Sequence, residues 1–171
     1  MKYIKTYKIF ENIVTKLDYS NHNLTELPEL PDTLTYLNCN NNNLTKLPEL
    51  PSILKELYCY DNNLTELPKL PNLLKVLSCS RNKLIKLPEL PNSLKELYCS
   101  YNNLTKLPDL PESLELLECD GNNLTELPEL PDTLIALNCR NNNLPYDDLD
   151  EYNEWYAKTY PERIDAKKYN L

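Results

Sequence analysis

The chain has 171 residues, of which 26% are charged, and its formal net charge is −8. An acidic chain repels phosphate backbones and anionic lipid, so neither nucleic acid nor a membrane surface is an expected partner. The sequence has no apolar run that approaches the roughly 18 residues of a membrane helix. It also has no apolar core of a signal peptide near its start. We therefore expect a cytoplasmic protein of the producing cell or of a host cell.

Residues 1–13 are predicted to form a short N-terminal cap on the segment that follows. Tyr3, Tyr7, Phe10 and Val14 fall at helical spacing, which favours an amphipathic helix over these positions. The segment is short enough that a strand remains the alternative.

Residues 14–144 are built from about seven repeats of 20 residues. A leucine recurs at Leu17, Leu37, Leu57, Leu77, Leu97, Leu117 and Leu137, within the frame L-x-x-L-x-C-x-x-N-x-L-T-x-L-P-x-L-P. A single unit of this size cannot bury its own apolar face and has to stack on its neighbours. The sequence therefore predicts an α/β repeat solenoid, with its function on the surface of the array.

One repeat, residues 54–73, shows how each unit is expected to fold. Leu57 and Cys59 alternate with Tyr58 and Tyr60, which is the pattern of a short strand with two inward and two outward side chains. Stacked in register, these strands form one parallel sheet on the concave face. The return segment T-E-L-P-K-L-P is too short and too rich in proline for a full helix, so an extended or 3₁₀ convex side is predicted.

An asparagine follows the strand in every repeat but the first, where the chain must turn, as Asn62 does in the sample repeat. A buried amide can donate to and accept from the backbone of neighbouring turns. The same slot holds Asn42, Asn82, Asn102, Asn122 and Asn142, and His22 in the first repeat. The single histidine is therefore interpreted as structural.

Six cysteines recur at the inward strand position: Cys39, Cys59, Cys79, Cys99, Cys119 and Cys139. Buried among leucines, a thiol acts as a small apolar filler and its pKa rises. Tyr19 takes this position in the first repeat, which no metal-ligand scheme allows. We expect reduced, unreactive thiols, no metal site, no cofactor and no nucleophile.

Residues 145–171 are predicted to form a C-terminal helical cap. Asp147 is the expected N-cap, acidic residues follow it in the first turn, and Pro161 ends the helix. The apolar and aromatic side chains that would cover the last repeat are Leu149, Tyr152, Trp155, Tyr156 and Tyr160. A helix that recruits another protein is the alternative interpretation.

Outward strand positions are free of core constraints, and tyrosine is concentrated there in the second to fifth repeats. Tyr58 and Tyr98 are predicted to flank Ser78 in one column, leaving a slot roughly 10 Å wide at about 4.8 Å per strand. Tyrosine and arginine are enriched in binding hot spots. The predicted partner-binding residues are Tyr36, Tyr58, Tyr60, Asp61, Arg81, Tyr98 and Tyr101. The alternative is that these tyrosines only pack against cross-strand neighbours.

The phrase LPELPDTLTYLNCNNNNLT and its copies resemble the short bacterial leucine-rich repeat found in YopM-type and IpaH-type effectors. Similar arrays with cysteine in the strand occur in large viruses, phages and protist-associated bacteria. The resemblance implies binding of a protein through the repeats. IpaH-type effectors carry an additional ubiquitin ligase domain with a Cys-Asp pair, but Cys119-Asp120 lies in the buried repeat position and does not match that site.

The sequence thus predicts a non-enzymatic protein-interaction module that binds on its concave face, most specifically a host-directed effector or a viral inhibitor of a host protein. No base lies near a nucleophile, and no phosphate-binding glycines occur, so an enzyme is not expected. The alternative is a small-molecule or peptide sequestering protein, since an acidic, tyrosine-lined groove favours cationic or aromatic ligands. The pattern leaves the oligomeric state open.

Overall fold

The computed structural model describes residues 14–161, so the predicted N-terminal cap over residues 1–13 lies outside the described part. Within this range each recurring leucine is the centre of a three-residue strand. The strands are β1 (Lys16–Asp18), β2 (Tyr36–Asn38), β3 (Glu56–Tyr58), β4 (Val76–Ser78), β5 (Glu96–Tyr98), β6 (Leu116–Glu118) and β7 (Ala136–Asn138).

The strands form one parallel sheet in the order of the chain, from β1 to β7. Every pair is in register with a shift of one repeat, so that Leu57 lies between Leu37 and Leu77. Backbone hydrogen bonds continue the pairing beyond the strands, as between Cys59 N and Ser78 O at 2.7 Å. The predicted parallel solenoid sheet is confirmed.

The core lies between this sheet and the return segments. Leu57, Cys59 and Leu64 are fully buried, and Leu67 and Leu70 are less than one-tenth exposed. The equivalent residues of the other repeats join them in one continuous cluster along the array. Since burying a leucine contributes about 1.5–3 kcal/mol, the repeated leucines contribute strongly to the cohesion between neighbouring units.

The return segment is extended, as its two prolines require. Pro71 O accepts a hydrogen bond from Leu74 N at 3.1 Å, which closes the turn into the next strand. Asn63 N donates to Leu44 O of the preceding repeat at 2.9 Å, so the turn that leads into the return segment is also linked from repeat to repeat. No 3₁₀ segment occurs within residues 14–161.

The asparagine ladder forms as predicted. Asn62 Oδ1 accepts from Leu44 N at 3.0 Å, while Asn62 Nδ2 donates to Cys39 O and Cys59 O at 3.0 and 3.2 Å. Each asparagine therefore joins two consecutive repeats. In the first repeat the side chain of His22 is exposed, and its Nδ1 lies 2.6 Å from the carbonyl oxygen two residues earlier. Asn42 makes the equivalent bond, from Nδ2 to Asn40 O. The contact of His22 therefore supports a structural interpretation of the histidine.

One helix, α1 (Leu149–Thr159), follows the sheet within the described residues. Its N-cap is Asp148, whose side chain accepts from Glu151 N at 3.0 Å, so the prediction of Asp147 is wrong by one position. Asp147 instead donates its backbone N–H to Glu151 Oε2 at 2.8 Å. Two consecutive aspartates fit the capping pattern equally well, and only the backbone geometry separates them. No helix among residues 14–161 is long and apolar enough to cross a membrane.

Helix α1 covers the last repeat with aromatic side chains. Tyr146 and Tyr152 are buried, and their rings meet edge to face with centroids 5.0 Å apart. Trp155 packs beside Tyr146 at 5.1 Å. The turn before the helix also bonds to β7, since Asn138 bridges to Asp148 in antiparallel fashion. The predicted C-terminal helical cap is thus present over Leu149–Thr159, and residues 162–171 of the predicted segment lie outside the described part.

Candidate functional site

The structure separates the seven predicted binding residues into two groups. Tyr36, Tyr58 and Tyr98 lie on β2, β3 and β5 with partly buried side chains on the open face of the sheet. The other four, Tyr60, Asp61, Arg81 and Tyr101, follow the strands and lie along the rim where the chain turns. The two groups are adjacent and form one surface that crosses four repeats.

The central column of the open face has the predicted order. Ser78 pairs with Tyr58 on one side and with Tyr98 on the other, so the two tyrosines are about 10 Å apart at the backbone. In the neighbouring column Val76 likewise pairs with Glu56 and Glu96. We call the gap above Val76 and Ser78, walled by Glu56 and Tyr58 on one side and Glu96 and Tyr98 on the other, the tyrosine slot.

Each wall of the tyrosine slot is held by one hydrogen bond within its own strand. Tyr58 donates from its hydroxyl to Glu56 Oε2 at 3.2 Å, and Tyr98 donates to Glu96 Oε2 at 2.9 Å. Burial and the neighbouring carboxylates raise the pKa of Tyr58 and that of Tyr98 to about 12. Both phenols therefore stay protonated and keep these bonds at physiological pH.

Tyr36 extends the aromatic surface beyond the tyrosine slot. Its ring centroid lies 5.4 Å from that of Tyr58, and Lys16 Nζ lies 5.5 Å from the Tyr36 centroid on its other side. Burial, with the charges of Asp18 and Glu56, raises the pKa of Tyr36. Tyr36 and Tyr58 therefore do pack against each other across neighbouring strands. This contact is the one expected if the tyrosines only support the sheet.

Three of the four rim residues, all except Tyr60, occupy a backbone conformation that suits glycine and asparagine. Asp61, Arg81 and Tyr101 have φ of +55°, +54° and +54°, as do Asn41 and Asn141 at the same repeat position. A left-handed conformation is uncommon for side chains such as arginine and tyrosine, and strain of this kind costs on the order of 1–3 kcal/mol. The middle repeats therefore accept strain where other repeats avoid it.

Arg81, Tyr101 and Gly121 stack along the rim. The Arg81 guanidinium carbon lies 4.9 Å from the Tyr101 ring centroid. The same ring lies over Gly121, where a Cβ atom would come within 2.8 Å of Tyr101 Cδ1. The chain's single glycine thus leaves room for the tyrosine ring, which places Tyr101 half-exposed between two repeats.

Tyr60 and Asp61 belong to the rim without joining this stack. Tyr60 accepts a hydrogen bond at its hydroxyl from Asn41 Nδ2 at 3.3 Å. The carboxylate of Asp61 is exposed to solvent. Together they add a polar margin beside the tyrosine slot.

The six cysteines are buried and unoxidised in the structure. Burial raises the pKa of the Cys79 thiol to about 12 and that of Cys39 to about 12. Among residues 14–161 no group of histidine, cysteine or acidic side chains is arranged to hold a metal ion. The thiols act as packing groups in the core, each directly after a strand.

Two residues of this surface, Glu56 and Glu96, were not among the predicted binding residues. Glu56 and Glu96 form the slot walls, and their signal is the repeated Glu-x-Tyr at the same strand positions. Away from this surface, in the turns before β3 and β4, Ile53 and Leu73 are exposed apolar residues. Ser93 takes the same position in the next repeat, and its Oγ donates to Leu74 O at 2.6 Å. When the residues at one repeat position are compared along the array, the Glu-x-Tyr pattern and the exposed apolar residues both differ from the residues of the other repeats.

Comparison with known proteins gives matches of sequence and of structure. A family model described as Leucine Rich Repeat matches residues 33–52 and 93–114. No curated protein matches the chain.

The solved structures that resemble this fold include effector proteins of two bacterial genera. YopM from Yersinia enterocolitica WA-314 is 40% identical with a TM-score of 0.75, over 77% of this chain and 32% of that one. A Shigella effector LRR domain is 34% identical with a TM-score of 0.69, over 86% of this chain and 75% of that one. YopM from Yersinia pestis, described as a leucine-rich effector protein, is 43% identical with a TM-score of 0.65, over 75% and 43%. The chain spans about a third of the first of these proteins.

Proposed function

Since the chain belongs to the leucine-rich repeat family, we propose that it is a non-enzymatic module that binds a partner protein on the open, concave face of its sheet. The observation that carries this proposal is the tyrosine slot. Tyr58 and Tyr98 stand on either side of Ser78, and each is held by a glutamate of its own strand. The leucine core does not need these side chains.

The slot walls are suited to binding because they are held in place before a partner arrives. Tyrosine offers a large contact area and a polar tip, and it is among the residues most enriched in binding hot spots. A ring that is already fixed by a hydrogen bond loses less conformational entropy on association. Tyr58 and Tyr98 therefore contribute more to affinity than freely rotating tyrosines would.

The rim supports the same proposal through its strain. Arg81 and Tyr101 hold a left-handed backbone that the asparagine found in other repeats would adopt at lower cost. Residues with strained backbone conformations concentrate at functional sites. The stacked Arg81 and Tyr101 present an exposed guanidinium and ring next to the tyrosine slot.

We further propose that the partner is a host protein and that the chain works as an effector or a viral inhibitor. Two of the similar structures are described as effectors, one from Shigella and one from Yersinia pestis. Six free, buried cysteines fit a reducing compartment such as the cytoplasm. The chain spans 32% of the YopM chain from Yersinia enterocolitica, so the partner of that longer protein is not assigned to this one.

Sequestration of a small cationic or aromatic ligand is the second candidate function, favoured by the aromatic and acidic walls of the slot. Native mass spectrometry of the purified protein distinguishes it. A bound low-mass species that disappears in a variant with both slot tyrosines replaced would favour sequestration over protein binding.

The proposal is tested by capture of partners from lysate of the source cell or its host. Wild-type protein and the Tyr58→Ala, Tyr98→Ala double variant are immobilised, and the captured proteins are identified by mass spectrometry. We expect a specific protein on the wild-type matrix that is lost from the double variant, because the slot walls are gone.

The matched control replaces convex-side residues, Glu66→Ala with Lys106→Ala, which are exposed and leave the net charge unchanged. Melting temperatures of all three proteins are compared. We expect the control to retain the partner, and the slot variant to melt within a few degrees of wild type. If the slot variant lost the partner and also showed a large fall in melting temperature, the tyrosines would only stabilise the fold.

A further inference from the structure

We propose that the tyrosine slot recognises an arginine side chain of the partner protein. The inference rests on the proposed function and names the chemistry of its central contact. It follows from three features of the slot, which are unpaired carboxylates on both walls, a partnerless hydroxyl on the floor and a width that suits a guanidinium.

Both walls carry a carboxylate without a counter-ion. Within residues 14–161 one ion pair forms, between Lys95 and Glu115, so no lysine of the neighbouring repeats neutralises Glu56 or Glu96. Each of these carboxylates accepts a tyrosine hydroxyl at Oε2, which leaves Oε1 available. Two negative charges thus face each other across the gap above Val76.

The floor of the slot offers a third acceptor. Only 9% of Ser78 is exposed, and its hydroxyl has no hydrogen-bond partner among the described residues. Every buried side-chain polar atom that is closed off from solvent does have a partner in this part of the chain, so Ser78 Oγ must open into the slot. A hydroxyl in this position can accept a hydrogen bond from a donor that enters the slot.

The width of the slot favours a guanidinium over an ammonium group. The backbones of β3 and β5 lie about 10 Å apart. Two hydrogen bonds of about 2.8 Å on opposite sides of a guanidinium span roughly 8 Å, so one group can reach both carboxylates. Its five donors and flat face also serve the Ser78 hydroxyl and the tyrosine rings. An ammonium is a compact point charge that can approach only one wall closely.

The test uses N-acetyl-arginine methylamide as the probe, titrated into the full ¹⁵N-labelled chain. The citrulline analogue is the neutral isostere, and the lysine analogue carries the same charge on an ammonium. We expect saturable shifts of the backbone amides of Val76 and Ser78 with the arginine compound, and affinity lower by roughly tenfold or more for either analogue. Equal affinity for citrulline or lysine, or shifts that do not saturate, would overturn the proposal.

Two variants locate the site. Glu56→Gln with Glu96→Gln is expected to weaken arginine binding by roughly tenfold or more, since charge-assisted bonds become neutral ones. The matched control, Glu66→Gln with Glu126→Gln, makes the same change of net charge on the exposed convex side and is expected to bind like wild type. Equal weakening in both variants would show a general charge effect and contradict a specific site.

The lysate experiment separates this inference from the proposed function. A partner that is lost from the Tyr58→Ala, Tyr98→Ala variant but kept by the Glu56→Gln, Glu96→Gln variant would disprove arginine recognition and leave protein binding intact. Variants that are folded show an amide spectrum as dispersed as that of wild type, so a loss of binding can be assigned to the slot.

Discussion

At the scale of single residues, the buried thiols couple the stability of the chain to pH. Burial raises the pKa of Cys79 to about 12 in the folded state, whereas an unfolded cysteine titrates near 8.5. The folded protein therefore holds these protons more tightly than the unfolded chain does. The resulting stabilisation is complete below about pH 8.5 and is lost as the pH rises towards 12.

We expect the free energy of unfolding to fall between about pH 8 and pH 10, measured by urea denaturation at each pH. At pH 8 a thiol reagent should leave the native cysteines unmodified and react with all six in denaturant, because all six are buried. Cys79→Ala should reduce the slope of stability against pH, since one titrating group is removed. Rapid labelling of several native thiols, or stability that rises with pH, would contradict this account.

The placement of the binding residues could be predicted from the repeat, but their contacts could not. Any residue one position from the recurring leucine, such as Tyr58, has to face outward once the strand is recognised. That Tyr58 bonds to Glu56, or that Tyr101 rests on Gly121, depends on side-chain rotamers and on neighbours in space. The 20-residue period gives the position of a side chain and leaves its rotamer undetermined.

At the scale of elements, the asparagine turns hold the repeats together. Asn82 accepts from Leu64 N at 2.9 Å and donates to Cys59 O and Cys79 O, both at 3.0 Å. Asn82 is buried. If its side chain is removed, the backbone groups that bonded to it cannot bond to water instead. Each such orphaned group costs about 1–3 kcal/mol.

We expect Asn82→Ala to lower the free energy of unfolding by roughly 2–4 kcal/mol, measured by urea denaturation. The matched control is Asn103→Ala, because the Asn103 side chain is exposed at a neighbouring turn position. That change should stay within about 0.5 kcal/mol of wild type. Similar losses in the two variants would show that turn propensity matters more than the buried bonds.

The elements themselves could largely be predicted, because each depends on local signals. The strands follow from alternation around the leucines, and the extended return follows from pairs such as Pro68 and Pro71, which remove donors and fix φ. The start of α1 was missed by one residue because Asp147 and Asp148 are chemically equivalent candidates. The contribution of Tyr146 to the cap was also missed, since its burial depends on how the helix docks.

At the scale of the whole molecule, the constant register makes a repeat removable. Deletion of residues 62–81 joins Asp61 to Asn82, which then takes the place of Asn62 in the same frame. Every remaining strand keeps a neighbour one repeat away, so the array should still stack. Tyr58 and Tyr98, however, would become direct neighbours about 4.8 Å apart and the tyrosine slot would close.

We expect the protein lacking residues 62–81 to unfold cooperatively, with a far-ultraviolet circular dichroism spectrum per residue like that of wild type. It should no longer bind the arginine compound. Deletion of residues 102–121 removes another repeat of equal length and leaves β3, β4 and β5 in place, so this control should keep binding. Binding retained after the first deletion would contradict a site built across β4.

The bonded edge of β7 determines how such an array can change in length. The Cys139 backbone N–H already donates to Asp147 O at 2.9 Å, and Asn138 is bridged to Asp148. A strand from another copy therefore finds no free row of donors and acceptors at this end. The array cannot be lengthened there by addition of a copy. On this side of the array, additional repeats can enter only by insertion before β7, which lengthens the binding face while the closure by Asp147 and Asp148 stays unchanged.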